Sequence, residues 1–222
     1  MSIAFNIVSI GCLSKNRFWN EAEVVRPAHA TTTLIRNGDT TILVDPSLPG
    51  KLLERILHER TGLKPDQIDL VFLTCFRPVH RRGLGSFRNA DVLMGENEID
   101  SVRARLDELE EPGAANVEDH ALIESEQRIL RRIKPAPDRI SPQIHLFPTP
   151  GATAGSCSLL LTPPARTVAI AGDAVLTEDF FDSGRIFEHS FDTEAAKEAL
   201  TELVEIADVI IPGHDNIFMP IR

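Results

Sequence analysis

The stretch Leu70-Val71-Phe72-Leu73-Thr74-Cys75-Phe76-Arg77-Pro78-Val79-His80 passes from a short apolar run into a polar, irregular one. An apolar run as short as residues 70–74 fits a buried strand better than a helix, which needs about ten residues or more. Residues 75–85 then lie at a strand end, where loops on a rigid sheet carry function. Upstream, residues 31–35 and 40–44 are apolar and β-branched and flank Asn37-Gly38-Asp39, a hairpin signal. Residues 5–13 read as a further strand. Asp45-Pro46-Ser47 ends the hairpin. Pro49 opens a helix with Leu52, Leu53, Ile56 and Leu57 at helical spacing, and Gly62 closes it.

Downstream, residues 92–94 suit a strand and residues 102–109 a charged helix broken at Pro112-Gly113. Residues 117–133 suit a further helix, and Pro135, Pro137 and Pro142 mark a loop. The last third repeats the pattern, with strands at 144–147, 157–161 and 167–171. An amphipathic helix at 193–206, capped by Asp192 or Thr193, precedes a buried strand at 209–211. No segment has linker composition and no short repeat occurs. The chain reads as one domain over residues 1–222, with mixed sheets inside and helices outside. The hairpin argues against a purely parallel, doubly wound sheet.

The 222 residues are 42% hydrophobic and 25% charged, ordinary for a globular protein, and carry a net charge of −10. That charge argues against nucleic-acid and anionic-membrane partners. No apolar run is long enough to cross a bilayer. The apolar start lacks the basic region of a signal peptide. Three cysteines without CxxC spacing suggest reduced thiols and a cytoplasmic location. Cys12 and Cys157 fall inside apolar runs and read as core residues. There is no GxSxG elbow and no GxxxxGK[ST] loop, which argues against the usual α/β-hydrolase and P-loop nucleotide sites.

Four strand-end segments hold the polar residues of interest: 73–80, Thr149-Pro150-Gly151-Ala152-Thr153-Ala154-Gly155-Ser156, Ala171-Gly172-Asp173-Ala174 and Pro212-Gly213-His214-Asp215. Together with Leu43-Val44-Asp45 they resemble, in order and spacing, the metallo-β-lactamase-fold superfamily. The resemblance covers nearly the whole chain. It implies an α+β fold, an αββα sandwich of two mixed sheets flanked by helices, and descent from metal-dependent hydrolases.

The resemblance also assigns positions. The family's Leu-Thr-His-x-His-x-Asp-His strand end has Cys75 for its first His, Arg77 for its second, Val79 for its Asp and His80 for its last His. Ala152 replaces the His of the Thr-Pro-Gly-His-Thr-x-Gly-Ser loop. Asp173 matches the bridging Asp and His214 the terminal His, and Asp45 matches a strand-end Asp with a hydrogen-bonding role. The first metal's imidazoles are therefore gone. Arg77 has no lone pair to offer. Two unit charges about 4 Å apart repel by roughly 4 kcal/mol at an effective dielectric near 20, and a divalent ion doubles this. The second site keeps His80, Asp173 and His214, enough for one Zn or Fe ion with water positions open.

Two readings follow. In the first, hydrolysis survives at a single metal on His80, Asp173 and His214, with the two-metal mechanism lost. In the second, the Arg77 guanidinium fills the vacated space, pairs with Asp173, and the chain binds a small anion or a partner without any metal. Arg77, Arg81, Arg82 and Arg88 form a basic cluster suited to an anionic ligand at the cleft. Cys75 fills the room of a lost imidazole. A homodimer fits a protein of this type.

Overall fold

Neighbouring side chains of a strand point to opposite faces, and the central strands here are apolar on both. A computed structural model describes residues 3–110 and 117–220. One sheet has the order β1 (Ile3–Ser9), β2 (Thr32–Asn37), β3 (Thr40–Val44), β4 (Leu70–Leu73), β5 (Asp91–Met94) and β6 (Ile133–Pro135). Its hairpin strands are antiparallel, while β3 to β6 run parallel. The second sheet places β7 (Arg139–Ser141), β8 (Ile144–Pro148), β9 (Cys157–Leu161), β10 (Val168–Gly172) and β11 (Val209–Pro212) side by side, with β10 and β11 parallel. The helices are α1 (Gly50–Thr61), α2 (Pro78–Arg81), α3 (Glu96–Glu110), α4 (Val117–Leu130), α5 (Glu178–Asp182) and α6 (Thr193–Ile206).

Alternation assigns each residue its layer. Leu34, Leu43, Val71 and Leu73 meet Leu53 and Leu57 of α1, Ile99 and Leu106 of α3, and Ile123 and Leu130 of α4. Their neighbours Ile35, Ile42, Val44 and Phe72 face the second sheet, against Ile144, Leu159, Leu161, Ile170, Val209 and Ile211. On the far side, Ala169, Ala171 and Ile210 pack against Leu200, Leu203 and Ala207 at α6. The result is the expected αββα sandwich.

Several boundaries differ from the sequence reading. The first strand ends at Ser9, not Leu13; Cys12 lies beyond it, half-buried, in an isolated bridge to His29. It is therefore not a core residue, whereas Cys157 is buried as expected. Helix α3 starts at Glu96, and α4 stops at Leu130 so that Ile133 opens β6. The proline-marked stretch holds β6 and β7, both at sheet edges, where a missing N–H is tolerated. Single-turn helices α2 and α5 are too short to show a period. The Pro112-Gly113 break lies outside the described residues. Among the described residues no helix is long and apolar enough to cross a membrane.

Phe72 is fully buried between the sheets. Replacing it by Ala removes a ring from a packed interior and is expected to cost about 3–5 kcal/mol, read as a lower urea midpoint with an unchanged slope.

Candidate functional site

Parallel register brings the site together. Val44 of β3 pairs with Phe72 of β4, which sets Asp45 beside Thr74. Ile170 of β10 pairs with Ile211 of β11, which sets Asp173 beside Gly213 and His214. The 149–156 loop leaves β8 on the same edge.

The backbone around Thr74 is pinned on every side. Its N–H donates to Asp45 Oδ1 at 2.9 Å and its hydroxyl to Asp45 Oδ2 at 2.7 Å. Its carbonyl accepts from Cys157 N at 2.9 Å. Asp45 itself has φ 48°, a left-handed conformation rare outside glycine that these bonds hold in place. At Gly172, φ is 54° and a Cβ would lie 2.5 Å from Thr74 Oγ1, so only glycine fits. Glu98 of α3, also buried, accepts from Phe76 N at 2.9 Å and Gly155 N at 3.0 Å, joining the loops after β4 and β8. Sequence reasoning missed Glu98, because nothing distinguishes it from the other acidic residues of α3.

His80 and His214 are oriented by their far nitrogens. His80 Nδ1 lies 2.9 Å from Asp45 Oδ2, and His214 Nδ1 lies 3.0 Å from the carbonyl of His29. Both partners only accept, so both Nδ1 atoms carry hydrogen. Each Nε2 then faces the same atom, Asp173 Oδ1, at 3.0 Å from His80 and 3.1 Å from His214. Lone pairs that converge in this way require positive charge among them, either protons or a metal ion. The backbone carbonyl of His29, a residue given no role from sequence, is thus the anchor of His214.

The other carboxylate oxygen belongs to Arg77. Its Nη1 donates to Asp173 Oδ2 at 2.7 Å and its Nη2 to the carbonyl of Ala152 at 2.6 Å. The guanidinium also lies over the Phe187 ring, 4.6 Å from its centroid. The Arg77 side chain remains 25% exposed while that of Asp173 is 1% exposed. Arg77 thus joins the inner site to a cavity of about 730 Å³. Val79, Leu176, Phe180 and Phe187 form apolar parts of its wall.

The rest of the expected basic cluster is elsewhere. Arg81 is buried, pairs with Glu126 and donates to Phe76 O at 2.7 Å; Arg82 is exposed and reaches Ala28 O. Arg88 lines a separate surface hollow with Lys51 and Arg55. Of the four, Arg77 alone lines the cleft. Helical geometry at Pro78–Arg81 turns Arg81 away from the pocket to satisfy Glu126, a pairing that no local spacing reveals.

Charge follows burial and partners. Burial alone would push the Asp173 carboxyl up; the charge of His80 and hydrogen bonds from His214 and His80 hold it well below the carboxylate range. Burial alone would lower His80; its surroundings, the Cys75 sulfur and above all the carboxylates of Asp173 and Asp45, outweigh it and hold the imidazole well above its usual value. Burial pushes the Cys75 thiol up. Among the described residues, Cys75, His80 and Asp173 have ligand atoms all within 4.8 Å of one another; His214 lies outside that group and touches it at Asp173 Oδ1. Two imidazoles and a carboxylate oxygen are donors that suit zinc. The spacings of 3.0 and 3.1 Å approach the ligand-to-ligand edge of roughly 3.3 Å that a tetrahedral zinc with 2.0–2.1 Å bonds spans. The donor types therefore suit one ion, with Cys75, His80 and Asp173 the three already grouped.

The sequence profile of the metallo-beta-lactamase superfamily matches residues 25–214, and the chain belongs to that superfamily. An N-acyl homoserine lactonase of Bacillus cereus is 24% identical over 211 residues, covering 82% of this chain and 79% of the relative. Among solved structures, a Thermotoga maritima protein assigned to the metallo-β-lactamases superposes with a TM-score of 0.73 at 16% identity, over 99% of this chain and 100% of that one. A variant of Bacillus thuringiensis AiiA with N-decanoyl-L-homoserine at its active site gives 0.68 at 19% identity, over 96% and 93%.

The two charge shifts have opposite pH signatures. Asp173 contributes stability above its unfolded value of 3.8, and that contribution is lost as pH falls toward the depressed folded value. His80 contributes stability that is complete below 6.5 and is lost as pH rises toward its elevated folded value. In chelator-treated protein, the stability difference between wild type and His80→Gln is expected to be flat from pH 3.8 to 6.5 and to shrink on either side. Urea midpoints across pH measure it.

Proposed function

We propose that the chain is a hydrolase of ester-type bonds, lactones included, that works with one divalent ion and uses Arg77 where its relatives hold a second. A single observation carries this reading: the two oxygens of Asp173 have different partners. Oδ1 faces His80 and His214, while Oδ2 is taken by Arg77. Ala152 offers no imidazole, and its carbonyl is already bound to Arg77. A guanidinium brings charge but no lone pair, so that half of the pocket holds a fixed cation instead of an exchangeable one.

When bound, the ion supplies a water activated near neutral pH and a Lewis acid for the scissile carbonyl. His80 and His214 hold their imidazoles in the ligating tautomer through Asp45 and the His29 carbonyl. Arg77 directs two of its five N–H groups inward, to Asp173 and Ala152, and the remaining donors are available to a carbonyl oxygen that gains negative charge. Asp173 and Phe187 fix the guanidinium plane. The apolar walls at Leu176, Phe180 and Phe187 suit an acyl chain. The lactonase relative supports this substrate class.

A second reading, a metal-free protein that binds a small anion without turnover, is favoured by the same Arg77–Asp173 pair. Two protons on the imidazoles carry the charge of one divalent ion.

Metal analysis of protein purified without added zinc separates the two. About one equivalent, lost in His214→Ala, is expected; no metal together with unchanged melting in chelator overturns the hydrolase reading and sustains the second. On a panel of nitrophenyl esters and N-acyl lactones, Arg77→Ala is expected to lower kcat by about 10²–10³, the range for removing one oxyanion donor. Arg77→Lys is not expected to restore it, because an ammonium cannot bridge Asp173 and Ala152 as a planar fork does.

A further inference from the structure

Helix α3 and strand β9 hold Cys75 as firmly as any residue of the site, yet the mechanism above leaves its thiol idle. Cys75 is fully buried. The peptide before it is fixed by Asp45 on Thr74 N and by Cys157 on Thr74 O, and the residue after it by Glu98 Oε1 on Phe76 N at 2.9 Å. Its sulfur, the His80 imidazole and an Asp173 oxygen are mutually within 4.8 Å. The other two thiols are occupied elsewhere. Cys12 Sγ lies 3.3 Å from His29 Nδ1 at the outer bridge, and Cys157 Sγ points to Gly155 O at 3.3 Å.

We propose that Cys75 is a ligand of the single ion, so that the site is a mixed one of Cys75 sulfur, His80, Asp173 and His214. The assignment rests on the one-ion reading of the preceding subsection and changes its chemistry. A thiolate adds a soft donor and a negative charge, which favours zinc, cobalt or ferrous iron over magnesium or calcium. It also offsets the carboxylate lost at Val79. On binding, the Cys75 S–H bond breaks, the sulfur bonds the ion and the proton passes to water. Burial that disfavours the thiolate in the metal-free protein does not prevent this, since a coordinating thiol is deprotonated by the ion itself.

Cobalt(II) added to the metal-free, reduced protein tests the assignment. Expected are the intense visible bands of a four-coordinate ion together with a near-ultraviolet sulfur-to-cobalt charge-transfer band. Cys75→Ser is expected to keep the visible bands and lose the charge-transfer band, and Cys157→Ser to keep both. Bound cobalt without a charge-transfer band, or a band that survives Cys75→Ser, overturns the assignment and leaves the one-ion reading intact. No bound cobalt at all overturns that reading and the assignment with it. If Cys75→Ser does not fold, the double variant Cys12→Ser/Cys157→Ser decides: a charge-transfer band that persists there comes from Cys75, and its loss overturns the assignment.

Discussion

A carboxylate removed from water must be compensated, and Asp173 is almost wholly removed. Its two oxygens draw in Arg77, His80 and His214 from three separate segments of the chain. Asp45, a second buried carboxylate, shares His80 with it. Arg77 neutralises only one of these two charges. The remainder calls for a positive charge at the imidazoles, and the orientation of their Nε2 atoms shows where it belongs. The strand ends, the strained backbone at Asp45 and the glycine at 172 all serve to keep these groups in register.

Exchanging imidazoles for a guanidinium alters more than the metal count. A bound ion is exchangeable, whereas Arg77 is covalently part of the chain and brings its cation with it. Its planar fork spans Asp173 Oδ2 and Ala152 O at once, so it also restrains the 149–156 loop that an imidazole at position 152 would otherwise tie to a metal. Glu98 restrains the same loop from the opposite side, through Gly155. Arg77 and Glu98 in this way tie the loops of the pocket together. The cavity at Arg77, apolar along Leu176, Phe180 and Phe187, is lined by Asp173 as well. The chemistry proposed for it follows from what remains there: donors that are fixed, a partly apolar wall and one convergent set of lone pairs.

The order of strands and helices was legible in the sequence, the αββα layering came from the superfamily resemblance, and strand alternation, a local property, agrees with it. Leu34 and Ile35, or Val71 and Phe72, can be sent to opposite faces without knowing what lies there. The matching positions Cys75, Arg77, Val79, His80, Ala152, Asp173 and His214 were legible through the superfamily resemblance, whose motifs sit at the strand ends. Edge strands β6 and β7 were not, since three residues beside prolines carry no period.

Residue identity alone says that Arg77 cannot ligate, that Ala152 has no imidazole, and that two histidines and an aspartate survive. Which oxygen of Asp173 each group takes, that Arg81 turns to Glu126 and not to the pocket, that Glu98 and the His29 carbonyl brace the site, and that Cys75 lies against His80 and Asp173 came from folding. Those contacts join residues far apart along the chain, and a hydrogen bond fixes an angle and a distance that spacing in sequence does not encode.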